Sequence, residues 1–272
     1  LVAAVKRGDV AVATIDKAVR RILSLKFQMG LFDDPFVDEK QAVQLVASSE
    51  HTGLAREVAR QSIVLLKNKD KLLPLKKDIR TLAVIGPNAD NVYNILGDYT
   101  APQADGTVVT VLDGIRQKVS KETRVLYAKG CAVRDSSRTG FKDAIETARN
   151  ADAVVMVMGG SSARDFSSEY EETGAAKVTI NQISDMESGE GYDRATLHLM
   201  GRQLELLEEI SRLGKPVVLV LIKGRPLLME GAIQEAEAIV DAWYPGMQGG
   251  NAVADVPVSY THLRAHETGA YL

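Results

Sequence analysis

The sequence predicts an α/β protein, a doubly wound and mostly parallel α/β sandwich of about five or six strands. Three observations lead there. From Thr81 onward, short runs that are apolar throughout, such as "DAVVMVMGG" and "PVVLVLIKG", alternate with helical segments. A strand that is apolar on both faces needs cover on both faces, which is the condition of a parallel sheet wrapped by helices. Several strands also end in glycine-containing turns, "GPNADN", "MVMGG" and "YPGMQGGNA". In such sheets, ligands bind beyond the carboxyl ends of the strands.

The elements follow in order. "TIDKAVRRILSLKFQMG" carries Ile15, Ala18, Val19, Ile22, Leu23 and Phe27 at helical spacing, with Thr14 placed to cap it and Gly30 to end it. Its apolar stripe has no partner earlier in the chain. "LFDDPFVDEKQAVQLV" is charged, contains Pro35 and reads as linker. A second helix starts near Ser49 and runs into a short strand at Ile63 to Leu66, after which Pro74 in "LLPL" breaks the chain. Then come strand "TLAVIGPNA", helix "TVLDGIRQKV", strand "TRVLYAKG" and helix "FKDAIETARNA". Strand "DAVVMVMGG" is followed by helix "RQLELLEEISRLG", strand "PVVLVLIKG", helix "GAIQEAEA" and strand "IVDAWYPG".

Composition excludes several classes. A net charge of −3 and a pI near 5.9 favour neither nucleic acid nor an anionic membrane as partner. No apolar run is long enough to span a bilayer. One cysteine, Cys131, excludes an internal disulfide and a multi-cysteine zinc site and reads as a small buried residue. Of four histidines, His51 reads as a surface helix residue, and His262 and His266 form an H-x-x-x-H pair. "GPNAD" lacks the remaining residues of a dinucleotide fingerprint or a P-loop. The chain begins without Met or a signal peptide, and both ends suggest a fragment.

The segment from Ser161 to Met200 is longer than an ordinary α/β connection. Between Asp165 and Asp193 it carries eight acids (Asp165, Glu169, Glu171, Glu172, Asp185, Glu187, Glu190, Asp193) against one base, Lys177. The plain reading is a solvated acidic flap. The sharper one concerns Glu190, which Gly189 and Gly191 leave free to approach a ligand closely. Neighbouring negative charge favours the protonated, proton-donating form of a carboxyl. Asp193 and Arg194 are placed to pair and fix the loop. Glycoside hydrolysis needs a second carboxyl across the bond, and Glu187, on the same loop, is not marked as that partner. "GDYT" sets Asp98 and Tyr99 on a loop, where the aromatic ring could stack on a sugar or simply be the half-buried tyrosine of a turn. Arg225 in "KGRPL" reads as a structural ion-pair partner, and Trp243 as core.

Taken in order, "IDKAVRRILSLKFQMGLFDDP", "AREVARQSIVLLKN", "AVIGPNAD", "GDYT", "SGEGYDR", "GKPVVLVLIKGRPL" and "YPGMQGGNAVADV" closely resemble glycoside hydrolase family 3, over about Leu1 to Val256. Members of that family resemble one another in placing an active site between an N-terminal (β/α)8 barrel and an α/β sandwich. The resemblance implies that residues 1–34 are the last helix of a truncated barrel and 35–75 an interdomain linker. Residues 76–256 would then be the sandwich. The tail at 257–272, "PVSYTHLRAHETGAYL", departs from the family's Gly-Arg-Leu-Pro continuation and reads as foreign, which removes His262 and His266 as metal candidates. By resemblance, Glu190 is the acid/base, the residue before Gly-Tyr-Asp-Arg, and the nucleophilic Asp lies on the absent barrel. Asp98 and Tyr99 would line the aglycone side. The implied activity is that of a retaining exo-β-glycosidase acting on terminal β-glucosyl or β-xylosyl residues of oligosaccharides. It needs no cofactor or metal, its partner is the missing barrel, and the fragment alone would be inactive. The parent's compartment stays open, periplasmic or secreted by family analogy. The alternative is a non-catalytic sugar- or nucleotide-binding α/β module.

Overall fold

A computed structural model describes residues 1–76, 79–163, 185–190 and 192–259. It divides into two compact units, Leu1–His51 and Thr52 onward. The first holds α1 (Val2–Lys6), α2 (Val12–Gln28) and α3 (Glu39–Leu45). Helix α2 begins with Ala11 in the capping position, so Thr14, expected as the cap, lies in the first turn and donates its N–H to the Ala11 carbonyl at 3.0 Å. Val19, Ile22, Leu25 and Phe27 of α2 are exposed. Helix α3 interrupts the segment read as linker. Asp38 caps it, accepting from Lys40 N at 2.9 Å and Gln41 N at 3.3 Å, which satisfies donors that a helix start leaves open.

The second unit follows α4 (Ser49–Ser62) with strands β1 (Val64–Asn68) and β2 (Thr81–Ile85), then α5 (Val111–Lys118) and β3 (Arg124–Ala128). Next come α6 (Phe141–Arg149), β4 (Ala153–Gly159), α7 (Gln203–Ser211) and β5 (Val217–Ile222). Helix α8 (Ala232–Glu235), β6 (Ala238–Trp243) and α9 (Gly249–Ser259) complete it. The strands form one six-stranded sheet in the order β1-β6-β5-β4-β2-β3, parallel except for β1, which runs antiparallel to β6. The doubly wound, mostly parallel sandwich is therefore the observed architecture. Because β1 pairs with β6, the sheet starts well before residue 76. At the other end, α9 runs on to Ser259, and the Pro257 carbonyl accepts from Leu75 N at 2.6 Å. His262 and His266 lie outside the described residues.

The continuous apolar strands have a direct cause. Val155, Val157, Val218, Val220 and Val240 point into a core shared with α5 and α9. Their neighbours Val154, Met156, Met158, Leu219 and Leu221 point into a second core shared with α6 and α7. Successive side chains face opposite ways, so a strand covered on both sides must be apolar at every position. Cys131 belongs to the second core. Burial, and then the Asp185 carboxylate, push its thiol up to about 12. The native thiol should therefore resist an aromatic disulfide reagent at pH 8 and react fully once the chain is denatured. Rapid native reaction would place it at the surface.

One carboxylate fastens three helices of this unit. Asp255 on α9 accepts from Arg56 of α4 at 2.8–3.1 Å and from Lys118 of α5 at 2.7 Å. Burial alone would raise the Asp255 pKa, but the hydrogen bonds and charges of Lys118 and Arg56 outweigh it and hold the carboxyl below its ordinary range. A depressed folded-state pKa contributes stability that is present above the unfolded value, near 4, and is lost as pH falls through the folded one. Because the Arg56 side chain is 40% exposed, Asp255→Asn should cost only about 1–2 kcal/mol at pH 7. In urea titrations, the gap between wild type and variant should be constant above the unfolded value and narrow progressively as pH falls below about 4. A difference independent of pH would count against this assignment.

Candidate functional site

The candidate site lies at the carboxyl ends of β2, β4 and β5. After β2, Asn91 Oδ1 accepts from the N–H groups of Tyr93 and Asn94, folding the loop back on itself. Asn88 is 1% exposed, and its amide donates to the Gly160 carbonyl beyond β4 at 3.1 Å. Asn94 donates to Asn88 Oδ1 at 2.8 Å, and Ser161 Oγ donates to Asn94 Oδ1 at 2.7 Å. A buried polar network of this kind fixes geometry because each member, once satisfied, is costly to disturb. It ties the loop after β2 to the root of the segment that leaves β4. The Asn-rich loop reads in sequence as a turn, and only the fold shows that it is a strut.

The same loop carries Asp98 and Tyr99. Tyr99 has a φ of +58°, and its N–H donates to Asp98 Oδ1 at 2.7 Å. That left-handed backbone turns the ring outward, 72% exposed, and its hydroxyl donates to Glu190 Oε2 at 2.9 Å. Asp98 Oδ2 lies 3.1 Å from where a Cβ on Gly189 would stand. Asp98, Tyr99 and Glu190, separated by about ninety positions in the chain, thus meet at one place.

The segment holding Glu190 is fastened on both flanks. Asp185 Oδ1 accepts from Val133 N at 2.9 Å, and Arg134 donates to the Met186 carbonyl at 2.8 Å. Glu187 N donates to the Ser161 carbonyl at 2.9 Å. Glu187 is buried and meets Arg194 Nη1 at 2.5 Å, whereas Glu190 is exposed. Arg194 therefore pairs with Glu187. Asp193, the partner expected from sequence, instead accepts from the Arg194 backbone N–H at 2.9 Å. The solvated-flap reading fails for Glu187. Asp165, Glu169, Glu171, Glu172, Lys177 and Gly191 lie outside the described residues.

Two further expectations need correction. Trp243 is 37% exposed with a φ of +54°, not core, and the Lys223 ammonium sits 3.9 Å from its ring centroid. The buried ion pair of this edge is Lys223–Asp241 at 2.5 Å, while no ion pair of Arg225 occurs among the described residues. Tyr244 packs its ring against Gly97 and Gly224, which leaves no room there for a Cβ. Burial raises the Tyr244 pKa. Among the described residues no His, Cys, Asp or Glu cluster has the makings of a metal site, and no helix is long and apolar enough to cross a membrane.

Residues 63–259 match the model of the glycosyl hydrolase family 3 C-terminal domain. The chain belongs to glycoside hydrolase family 3. It is 40% identical over 250 residues to a β-xylosidase of Formosa agariphila, covering 89% of this chain and 31% of the relative. It is 35% identical over 277 residues to a periplasmic β-glucosidase of Salmonella typhimurium, covering 93% and 33%. Among solved structures, a β-glucosidase from Erythrobacter marinus matches with a TM-score of 0.74 and 35% identity, over 93% of this chain and 34% of that one. The chain spans about a third of the length of the curated relatives it matches.

Proposed function

We propose that this chain supplies the acid/base half of a retaining exo-β-glycosidase that removes terminal β-glucosyl or β-xylosyl residues from oligosaccharides. The nucleophile would be an Asp on a (β/α)8 barrel outside the chain. Support comes from family membership, from relatives named β-xylosidase and β-glucosidase, and from a chain spanning about a third of their length. The single observation that carries the residue assignment is the Tyr99 hydroxyl donating to Glu190 Oε2 at 2.9 Å. It joins the residues expected to line the aglycone side to the residue expected to act on the leaving group.

In this mechanism Glu190 begins protonated and donates to the glycosidic oxygen as the nucleophile attacks the anomeric carbon. The aglycone leaves as a neutral alcohol, and the sugar remains covalently bound as an ester. Glu190, now a carboxylate, takes a proton from water as the water attacks the same carbon, which frees the sugar with its configuration retained. Tyr99 holds Oε2 by its hydrogen bond and so orients the carboxyl group. No metal or organic cofactor enters either step.

The chain alone should be inactive, because removing one member of a cooperating set costs orders of magnitude in rate. The test is to join it to a (β/α)8 barrel of the family and assay aryl β-glucosides and β-xylosides. Activity that appears only on joining supports the division of labour, and hydrolysis by the isolated chain would refute it. In the joined enzyme, Tyr99→Phe should lower kcat/KM about tenfold, the scale of one hydrogen bond to a charged group. A variant equal to wild type would make the contact incidental.

A further inference from the structure

Glu187 and Arg194 flank Glu190 on either side in the chain. Their side chains are 1% and 2% exposed and meet at 2.5 Å, although Glu190 between them is exposed. Two charges taken out of water lose more hydration than their attraction returns unless further hydrogen bonds help, so such a pair is poor evidence of added stability. What it does supply is a fixed geometry, and the surroundings of both ends are those of an anchor.

Glu187 is seated on the sheet. Its N–H donates to the Ser161 carbonyl at 2.9 Å, and its Oε1 accepts from Ser188 Oγ at 3.2 Å. That same Oε1 occupies the space a side chain on Gly160 would need, 2.0 Å from an ideal Cβ at that position. Gly160 follows β4 directly, and its own N–H is bonded to the Ile222 carbonyl of β5 at 2.9 Å. Arg194 spends its other donors on its own side of the loop. Nε donates to the Thr196 carbonyl at 3.0 Å, and Nη2 donates to the His198 carbonyl. One guanidinium therefore gathers the chain that follows Glu190 and fastens it, through Glu187, to the ends of β4 and β5. Between the two anchors, Gly189 and Tyr192 form a short antiparallel bridge that encloses Glu190.

We propose that the Glu187–Arg194 pair is a positioning clamp that holds Glu190 at a fixed height above the sheet, against the Tyr99 hydroxyl. Both are positioning residues, acting through Glu190 and touching no substrate. The catalytic consequence rests on the acid/base reading of Glu190, whereas the clamp itself is a statement about the loop.

Hydrogen exchange on the chain as it stands tests the clamp directly. The variants are Glu187→Gln, Arg194→Met and the double variant, which removes both charges and so leaves neither buried alone. In all three, peptides covering residues 185–199 should exchange at least tenfold faster than in wild type. Peptides from β4 and β5 should keep their protection. Unchanged exchange in the loop overturns the clamp. So does loss of protection throughout the sheet in the double variant, which would make the pair a general support of the fold.

The catalytic arm uses the chain joined to a family barrel and aryl glycosides of graded leaving-group acidity. Glu187→Gln should lower kcat at least tenfold for poor leaving groups and little for good ones, with KM nearly unchanged. Added to Glu190→Gln it should change nothing further. Arg194→Lys, which keeps the charge but not the fork of donors, should recover only part of the rate. A loss equal across leaving groups overturns the positioning role. If Glu190→Gln itself shows no graded loss, the acid/base reading falls, while the exchange result stands on its own.

Discussion

In the joined enzyme, Glu190→Gln should reduce kcat/KM by about 10²–10⁴ for substrates with poor leaving groups and by less than about tenfold for activated aryl glycosides. The cause is the proton. A poor leaving group departs only if its oxygen is protonated as the bond breaks, and Gln cannot supply that proton. A good leaving group departs as a stable anion without it. The second step should suffer for every substrate, because water attacks the glycosyl-enzyme without a base. Activated substrates should consequently show a burst of aglycone followed by slow turnover. A uniform loss across leaving groups would point to damaged packing, and no loss would move the acid elsewhere.

The largest expected loss of stability is at Gly114. Helices α5 and α9 cross there with backbone against backbone. A Cβ on Gly114 would lie 2.1 Å from the Gly250 carbonyl oxygen, and one on Gly250 would lie 1.9 Å from that of Thr110. Neither obstacle is a side chain that can rotate away. Gly114→Val must push two core helices apart, opening the apolar layer formed by Val111, Leu112, Ile115, Val253 and Val256. The expected cost is about 3 kcal/mol, the upper end for overpacking. Urea denaturation should show a lower midpoint with an unchanged slope, as for a pure loss of stability. A variant as stable as wild type would mean that the helices do not approach this closely.

How much of this was legible in the sequence follows from the range of the interactions. Runs such as Ala153–Gly159 and Val217–Ile222 announce their environment locally, since a strand buried on both faces is apolar at every position. Helices α5 and α6 were likewise legible from spacing alone. Helix α3 was hidden in a charged segment, and its evidence is one capping residue, Asp38. Strand β1 ends in Lys67 and Asn68, and its antiparallel place beside β6 depends on residues far along the chain.

The site divides in the same way. Glu190 stood out because glycine precedes and follows it and because "GYDR" follows it in a family pattern. Asp98 and Tyr99 stood out as a loop pair whose aromatic ring could stack on a sugar, and the resemblance assigned them to the aglycone side. The Asn88–Asn94–Ser161 strut spans some seventy positions, and its members look in sequence like ordinary turn formers. Glu187 looked like one more acid in an acidic loop. Its burial beside Arg194 requires the end of β4 underneath it, which no local pattern specifies.

The most direct test of the central claim is chemical rescue of Glu190→Ala in the joined enzyme, with an activated aryl glycoside and added azide. Such a substrate still forms the glycosyl-enzyme without an acid, and azide needs no base to attack it. If Glu190 is the acid/base, turnover should rise with azide concentration and the product should be the glycosyl azide of retained β configuration. An Glu190→Ala variant that azide leaves unchanged, yielding only the free sugar at the wild-type rate, would contradict the assignment.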